Sequence, residues 1–199
     1  MDDIERLFRA RNTILEMLSD RGYQIESGLS LESREAFKKL FYSKQLDFQV
    51  ISNEKPSIYV KWILTAKVKP NFIKDTIDQI RSELGGDQGK IIIVSKAKPN
   101  TNMTKVFKEK EFRGTELFWL NAIVFNITKH VLVPKHIKMT EEDVKELLAK
   151  LYIQSKFNLP VMLKSDPITR YLDLSSGDVC KIIRYSPTSG EFVSYRVVK

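Results

Sequence analysis

Between Ile4 and Leu18 the apolar positions Ile4, Leu7, Phe8, Ile14, Leu15 and Leu18 recur at three- and four-residue intervals, with Arg11 on the same stripe. That spacing predicts an amphipathic helix, closed by Gly22 in the left-handed conformation that caps helix C-termini. Arg6, Arg9 and Arg11 interleave with the stripe and mark either a solvated face or a binding face. A second short helix is predicted over 33–42, burying Phe37, Leu40 and Phe41. The period then drops to two. Phe48 and Val50 alternate within 46–51, and Ile58, Val60, Trp62 and Leu64 within 57–65, so both segments read as strands joined through Asn53 to Pro56. Pro70 opens a helix with the stripe Ile73, Ile77, Ile80 and Leu84, ended by Gly85 and Gly86. Residues 90–95 read as a buried strand, 101–110 as a helix, and 117–120 and 123–127 again as strands. Helices alternating with strands predict a layered α/β domain over 1–128.

At residue 129 the texture changes to His130-Val131-Leu132-Val133-Pro134-Lys135-His136, which marks the start of a second unit, 129–199, of small α+β type. Thr140-Glu141-Glu142-Asp143 has the form of a capping box with Asp in place of Glu, followed by a buried face of Val144, Leu147, Leu148 and Leu151. Asn158-Leu159-Pro160 reads as a turn. Asp166 stands as an N-cap before Pro167 and predicts a short helical turn over 168–172. Residues 179–184 and 192–198 are predicted strands, joined as a hairpin through Ser186-Pro187-Thr188-Ser189-Gly190.

Composition narrows the function classes. With 199 residues and 42% hydrophobic content the chain can pack one large or two small cores. Its longest uninterrupted apolar runs, such as 91–94 and 122–125, are far too short to cross a bilayer, so no membrane span is expected. The acidic start, Asp2-Asp3-Ile4-Glu5, is unlike a secretory leader, so export is not expected. One cysteine, Cys180, and two histidines, His130 and His136, fall short of a structural zinc pattern and point to a reducing compartment. The net charge of +8 is compatible with a nucleic-acid neighbourhood, but it is spread: residues 1–128 hold 21 basic and 17 acidic side chains and 129–199 hold 12 and 8, with no basic arm.

The search for catalytic chemistry returns little. Gly85, Gly86 and Gly89 lack the Lys-Ser/Thr pair of a phosphate loop, and Cys180, mid-strand, reads as a small buried hydrophobe. A metal-dependent nuclease needs carboxylates for the cation, commonly with an acid-x-Lys element on a strand, but the residue two before Lys61 is Tyr59. Neither a catalytic residue nor a cofactor or metal is expected. In the tail, by contrast, Arg170 and Tyr171 are expected to project as large groups of the kind enriched at interface hot spots. Arg170, Arg184 and Arg196 serve either internal salt bridges or a partner.

Four blocks in this order carry a resemblance: Val131-Leu132-Val133-Pro134-Lys135-His136; Ser165-Asp166-Pro167 with Arg170-Tyr171-Leu172; Gly177-Asp178-Val179-Cys180-Lys181-Ile182-Ile183-Arg184; and Gly190 with Ser194-Tyr195-Arg196. They closely resemble the C-terminal domain of subunit five of DNA-directed RNA polymerase, a family whose archaeal members consist essentially of that domain alone. Arg6-Leu7-Phe8-Arg9-Ala10 and 16–23 resemble the start of the extra N-terminal domain of the eukaryotic form. The resemblance implies a nuclear, non-catalytic subunit common to RNA polymerases I, II and III. It also implies a C-terminal assembly domain docking on the largest subunit among the core subunits. The N-terminal jaw domain would be restriction-endonuclease-like without an active site, near downstream DNA and binding it weakly if at all in isolation. Pro134, His136, Asp166, Pro167, Arg170, Tyr171, Arg184, Tyr195 and Arg196 are the candidate subunit interface. The alternatives are a nuclease-like enzyme built on 1–128 and a free nucleic-acid-binding module. Two positions depart from the family pattern: Asp173 stands for a usual glycine, and Ser175-Ser176 for a usual basic pair.

Overall fold

The computed structural model describes residues 2–30, 33–52, 55–65, 68–83, 89–101, 103, 107, 112, 114–186, 188 and 190–199, with the Pro70 side chain excepted. The expected turn residues Asn53 and Glu54, the helix-ending Leu84, Gly85 and Gly86, most of the expected 101–110 helix, and Pro187 and Ser189 lie outside them. The chain divides into two compact units, Met1–Phe125 and Asn126–Lys199. The expected boundary was 128/129. The division comes earlier because the Asn126 side chain accepts from the Thr128 amide, and Ile127 packs on the smaller unit's core.

In the larger unit, helix α1 (Asp3–Asp20) buries Leu7, Arg11, Ile14, Leu15 and Leu18 of the expected stripe, while Ile4 and Phe8 at its start are half-buried. Gly22, at φ +82°, ends it: its amide bonds Ser19 O and the Tyr23 amide bonds Leu18 O, a Schellman arrangement that a side chain at this φ would strain. Helix α2 (Arg34–Tyr42) starts where the Ser33 side chain accepts from the Ala36 amide, but of its three expected core residues only Phe37 is buried. Leu40 and Phe41 are half-buried, because a nine-residue amphipathic helix on the rim covers only one turn's width of core.

Strands β1 (Phe48–Val50), β2 (Ile58–Ile63), β3 (Lys90–Ser95) and β4 (Thr115–Trp119) form one sheet in that order. The β1–β2 pair is antiparallel and the other two pairs are parallel. Helix α3 (Pro70–Glu83) lays Ile73, Ile77 and Ile80 on one face, against Ile63, Ile91, Ile93 and Leu117. On the other face α1 approaches, with the Arg11 guanidinium 4.4 Å from the Phe48 ring centre and Arg21 bound to Glu116. Strand β3 is buried from Ile91 to Ser95 because both faces are covered, so its sequence is a continuous apolar run rather than an alternation. After β4 the expected 123–127 strand is absent. Short 3₁₀ turns at Leu120–Ala122 and Ile127–Lys129 stand in its place, and Ile123 and Val124 are buried without pairing. Apolar runs this short do not distinguish a strand from a packed turn.

The smaller unit has its own sheet, in the order β5 (Lys135–Lys138), β7 (Val179–Ser186), β8 (Gly190–Val198), β6 (Val161–Met162). Helix α4 (Glu141–Lys150) carries the expected capping box in full: Thr140 Oγ1 accepts from the Asp143 amide and Asp143 accepts from the Thr140 amide. Val144 and Leu147 are buried, Leu148 is half-buried, and Leu151, past the helix end, is exposed. Helix α5 (Pro167–Tyr171) follows its Asp166 cap. One sheet face packs Met162, Ile168, Leu174, Cys180, Ile182 and Val198, and the other packs Val144, Leu147, Leu159, Val179 and Val197. No helix among the described residues is long and apolar enough to cross a membrane.

Candidate assembly surface

The two cores of the smaller unit lie toward one end of its hairpin. Val179 pairs with Val197 where both faces are covered, but Arg184 pairs with Phe192, and Tyr185 with Glu191, where neither is. Strands β7 and β8 therefore outrun their covering. Tyr185 is 85% exposed and Phe192 57%, on opposite faces of the projecting hairpin. Burying one such ring on a partner is worth about 1.5–3 kcal/mol, so two on one arm are an unspent driving force for association. Arg184 is exposed beside Phe192 and makes no ion pair among the described residues. Val131 and Leu132, both exposed, occupy the turn that leads into β5.

The sequence-derived interface residues divide by role. Tyr171 does not project: it is 4% exposed, and its hydroxyl accepts from Asn126 Nδ2 at 3.0 Å. The expectation that it stands out as an anchor is corrected, since a five-residue helix leaves one side against the core and Tyr171, with Ile168, is on that side. Asp166 and Pro167 build that turn. Asp166 Oδ1 accepts from the Ile168 amide at 2.8 Å, and Pro167 stands at the first helical position, where no amide is needed. Arg170 is exposed. Arg196 donates to the Val161 carbonyl at 2.9 Å, tying edge strand β6 to β8, and makes no ion pair among the described residues. Tyr195 is half-buried against the Val144 and Leu147 core. His136 is half-buried, with Nδ1 2.7 Å from the carbonyl of Pro134, itself half-buried. The hairpin aromatics Tyr185 and Phe192 were not singled out from sequence. The usable signal was their position near the ends of two strands whose apolar partners stop earlier.

Asp173 adopts φ +52°, the left-handed region that favours glycine, and aspartate is among the few side chains that tolerate it. Ser175 and Ser176 are exposed, and the Ser175 amide is held by Asp178 Oδ2 at 2.8 Å. Cys180 is fully buried, and burial raises its thiol pKa to about 11. Native protein at pH 8 should therefore be alkylated at Cys180 at least about 10²-fold more slowly than unfolded protein, as followed by mass spectrometry. Equal rates would mean that the β7 core is open.

In the larger unit, Tyr59 and Lys61 share the β2 face that α3 covers. Lys61 Nζ lies 2.7 Å from Asp47 Oδ2, and the other oxygen of Asp47 accepts from the Trp62 amide at 2.8 Å. Burial alone would lower the Lys61 pKa, but the hydrogen bond and charge of Asp47 outweigh it and the net shift is upward. The carboxylate thus serves a lysine and a strand, and the described residues hold no group of three metal-ligating side chains. A basic end gathers Arg6, Arg9, Lys96 and Lys98. Asp3 pairs with Lys96 at 2.6 Å and Arg6 at 3.7 Å, and Glu5 with Arg9 at 2.7 Å. Lys98 stands 5.6 Å from the Trp119 ring centre. Lys96 holds the Asp3 carboxyl below its ordinary value, first through the hydrogen bond and then through its charge.

Comparison with known proteins agrees with both units. The model of the RNA polymerase Rpb5 N-terminal domain matches residues 1–80, and that of the Rpb5 C-terminal domain matches residues 125–198. A protein of Dictyostelium discoideum named DNA-directed RNA polymerases I, II, and III subunit rpabc1 is 35% identical, over 99% of both chains. Proteins of Caenorhabditis briggsae and Caenorhabditis elegans named as the RPABC1 subunit of the same polymerases are each 31% identical, over 99% of this chain and 98% of theirs. End-to-end similarity at that level, with a separate match to each unit in the same order, means that the chain belongs to the RNA polymerase Rpb5 family.

Proposed function

We propose that this protein is a non-catalytic subunit common to nuclear DNA-directed RNA polymerases I, II and III, which its relatives are named as serving. In this reading the smaller unit docks on the largest subunit and the larger unit forms part of the lower jaw near downstream DNA. The observation that carries the docking role is the bare end of the hairpin, with Arg184, Tyr185 and Phe192 beyond both cores. The test is co-expression of the full chain with the largest subunit of one polymerase, scored by pull-down. Stoichiometric capture is expected, and no capture with both chains soluble overturns the docking role.

A jaw role is supported by the layering of helix, mixed sheet and helix in the larger unit, compatible with a restriction-endonuclease-like scaffold, and by its basic end. Because Asp3 and Glu5 already engage three of the four cations there, phosphates must compete for them. Isolated protein should bind duplex DNA only in the nonspecific range, about 10⁻⁴–10⁻⁶ M at physiological salt, measured by fluorescence anisotropy. With magnesium or manganese added, the duplex should stay intact. A sequence-specific nanomolar complex would favour a free binding module. Metal-dependent cleavage lost on Asp47→Asn would favour a nuclease.

A further inference from the structure

Strand β5 closes one edge of the smaller unit's sheet, with β7 on its inner side. The Met139 amide bonds Val179 O at 3.0 Å, and the same register pairs Ile137 with Lys181 and Lys135 with Ile183. In an antiparallel ladder alternate residues face the partner, so the N–H and C=O groups of His136 and Lys138 face the open edge. Beside this edge, between β5 and α4, lies a cleft of about 340 Å³ with an apolar floor of Ile137, Met139, Leu147 and Tyr195. An open ladder beside an apolar cleft is the form that takes an added strand: the backbone supplies hydrogen bonds and the cleft accepts an alternate side chain.

Charge selects the occupant. Lys135 and Lys138 lie on the edge itself, and Lys150 and Lys181 line the cleft. Lys138 is paired with Asp178, at 2.6 Å, whereas Lys135, Lys150 and Lys181 make no ion pair among the described residues. Of the two acids lining the cleft, Asp143 is engaged in the α4 capping box, which leaves Glu146. A second copy pairing through β5 would bring a strand with two lysines among its four residues, and no acid, to an edge that is already basic, an unfavourable charge match. We propose that the β5 edge accepts an extended, acidic segment of a partner polypeptide as a fifth strand, with one of its apolar side chains in the cleft beside Ile137. This goes beyond the docking reading and uses a surface separate from the Tyr185 and Phe192 arm.

The experiment uses the full-length protein alone, so its failure would leave the docking reading untouched. Two synthetic peptides are compared, one alternating glutamate with valine and one alternating lysine with valine, and amide shifts and hydrogen exchange are followed by NMR. The glutamate peptide should shift and protect the His136 and Lys138 amides and bind about tenfold more tightly than the lysine peptide. The double charge reversal Lys135→Glu, Lys138→Glu should invert that preference. His136→Pro removes one outward amide but no bond to β7. It should abolish protection while the circular dichroism spectrum is unchanged, since an edge strand tolerates proline. Equal binding of both peptides, protection confined to other residues, or no protection at millimolar peptide would each overturn the proposal.

Discussion

Replacing Tyr171 with alanine is expected to destabilise the smaller unit by about 3–5 kcal/mol, the cost of removing a buried aromatic ring and leaving a cavity. The ring lies in the unit's interior, and its hydroxyl serves as acceptor for Asn126. Tyr171→Phe keeps the packing and loses that hydrogen bond, so it should cost only about 1 kcal/mol. Domains of this size are stable by roughly 5–15 kcal/mol, so the alanine variant should populate open forms visibly. Cys180 sits in the same unit's sheet and is fully buried. Its labelling by iodoacetamide in increasing urea reports the loss directly. An alanine variant as stable as the wild type that fails to dock would return Tyr171 to the role of docking anchor.

The opposite pattern is expected at the hairpin arm. The double variant Tyr185→Ser, Phe192→Ser removes two exposed rings that no core uses, so unfolding should change by no more than about 0.5 kcal/mol. If each ring is a hot spot worth about 2 kcal/mol, capture of the largest subunit should weaken by about 10²–10³-fold. The measurement is a titrated pull-down or surface-plasmon experiment with the largest subunit. A double variant that binds as tightly as the wild type would remove the arm from the interface.

The contrast between these two positions shows what a single sequence carries. Repeating patterns were legible: the α1 stripe ended by Gly22, the alternation in β2, the Thr140–Asp143 box and the Asp166-Pro167 start of α5 all form as their residue types dictate. Short elements whose only support is a distant partner were not. Strand β6 has two residues and exists through β8, and β5, with two lysines among its four residues, has no apolar alternation to betray it. The 123–127 run was apolar because Ile123 and Val124 fill a core, not because they pair.

At the candidate surface, residue type alone makes Tyr171 and Tyr185 equivalent. Only the position of each relative to the ends of the two small cores separates a ring that is already used from one that is free to bind. The same holds for Arg196, which bonds the Val161 carbonyl, against Arg184, which extends beyond both cores. Long-range pairs such as Arg21 with Glu116, at 2.8 Å through both guanidinium nitrogens, were invisible for the same reason: nothing local in sequence connects them.

The central claim, a subunit shared by three polymerases, is tested most directly by affinity purification of the tagged full-length protein from its own cells, followed by quantitative mass spectrometry. The account predicts recovery of the largest subunits of RNA polymerases I, II and III together, each near one copy per tagged chain in its complex. Purification of the tagged protein free of all three, or bound to nucleic acid without them, would contradict it.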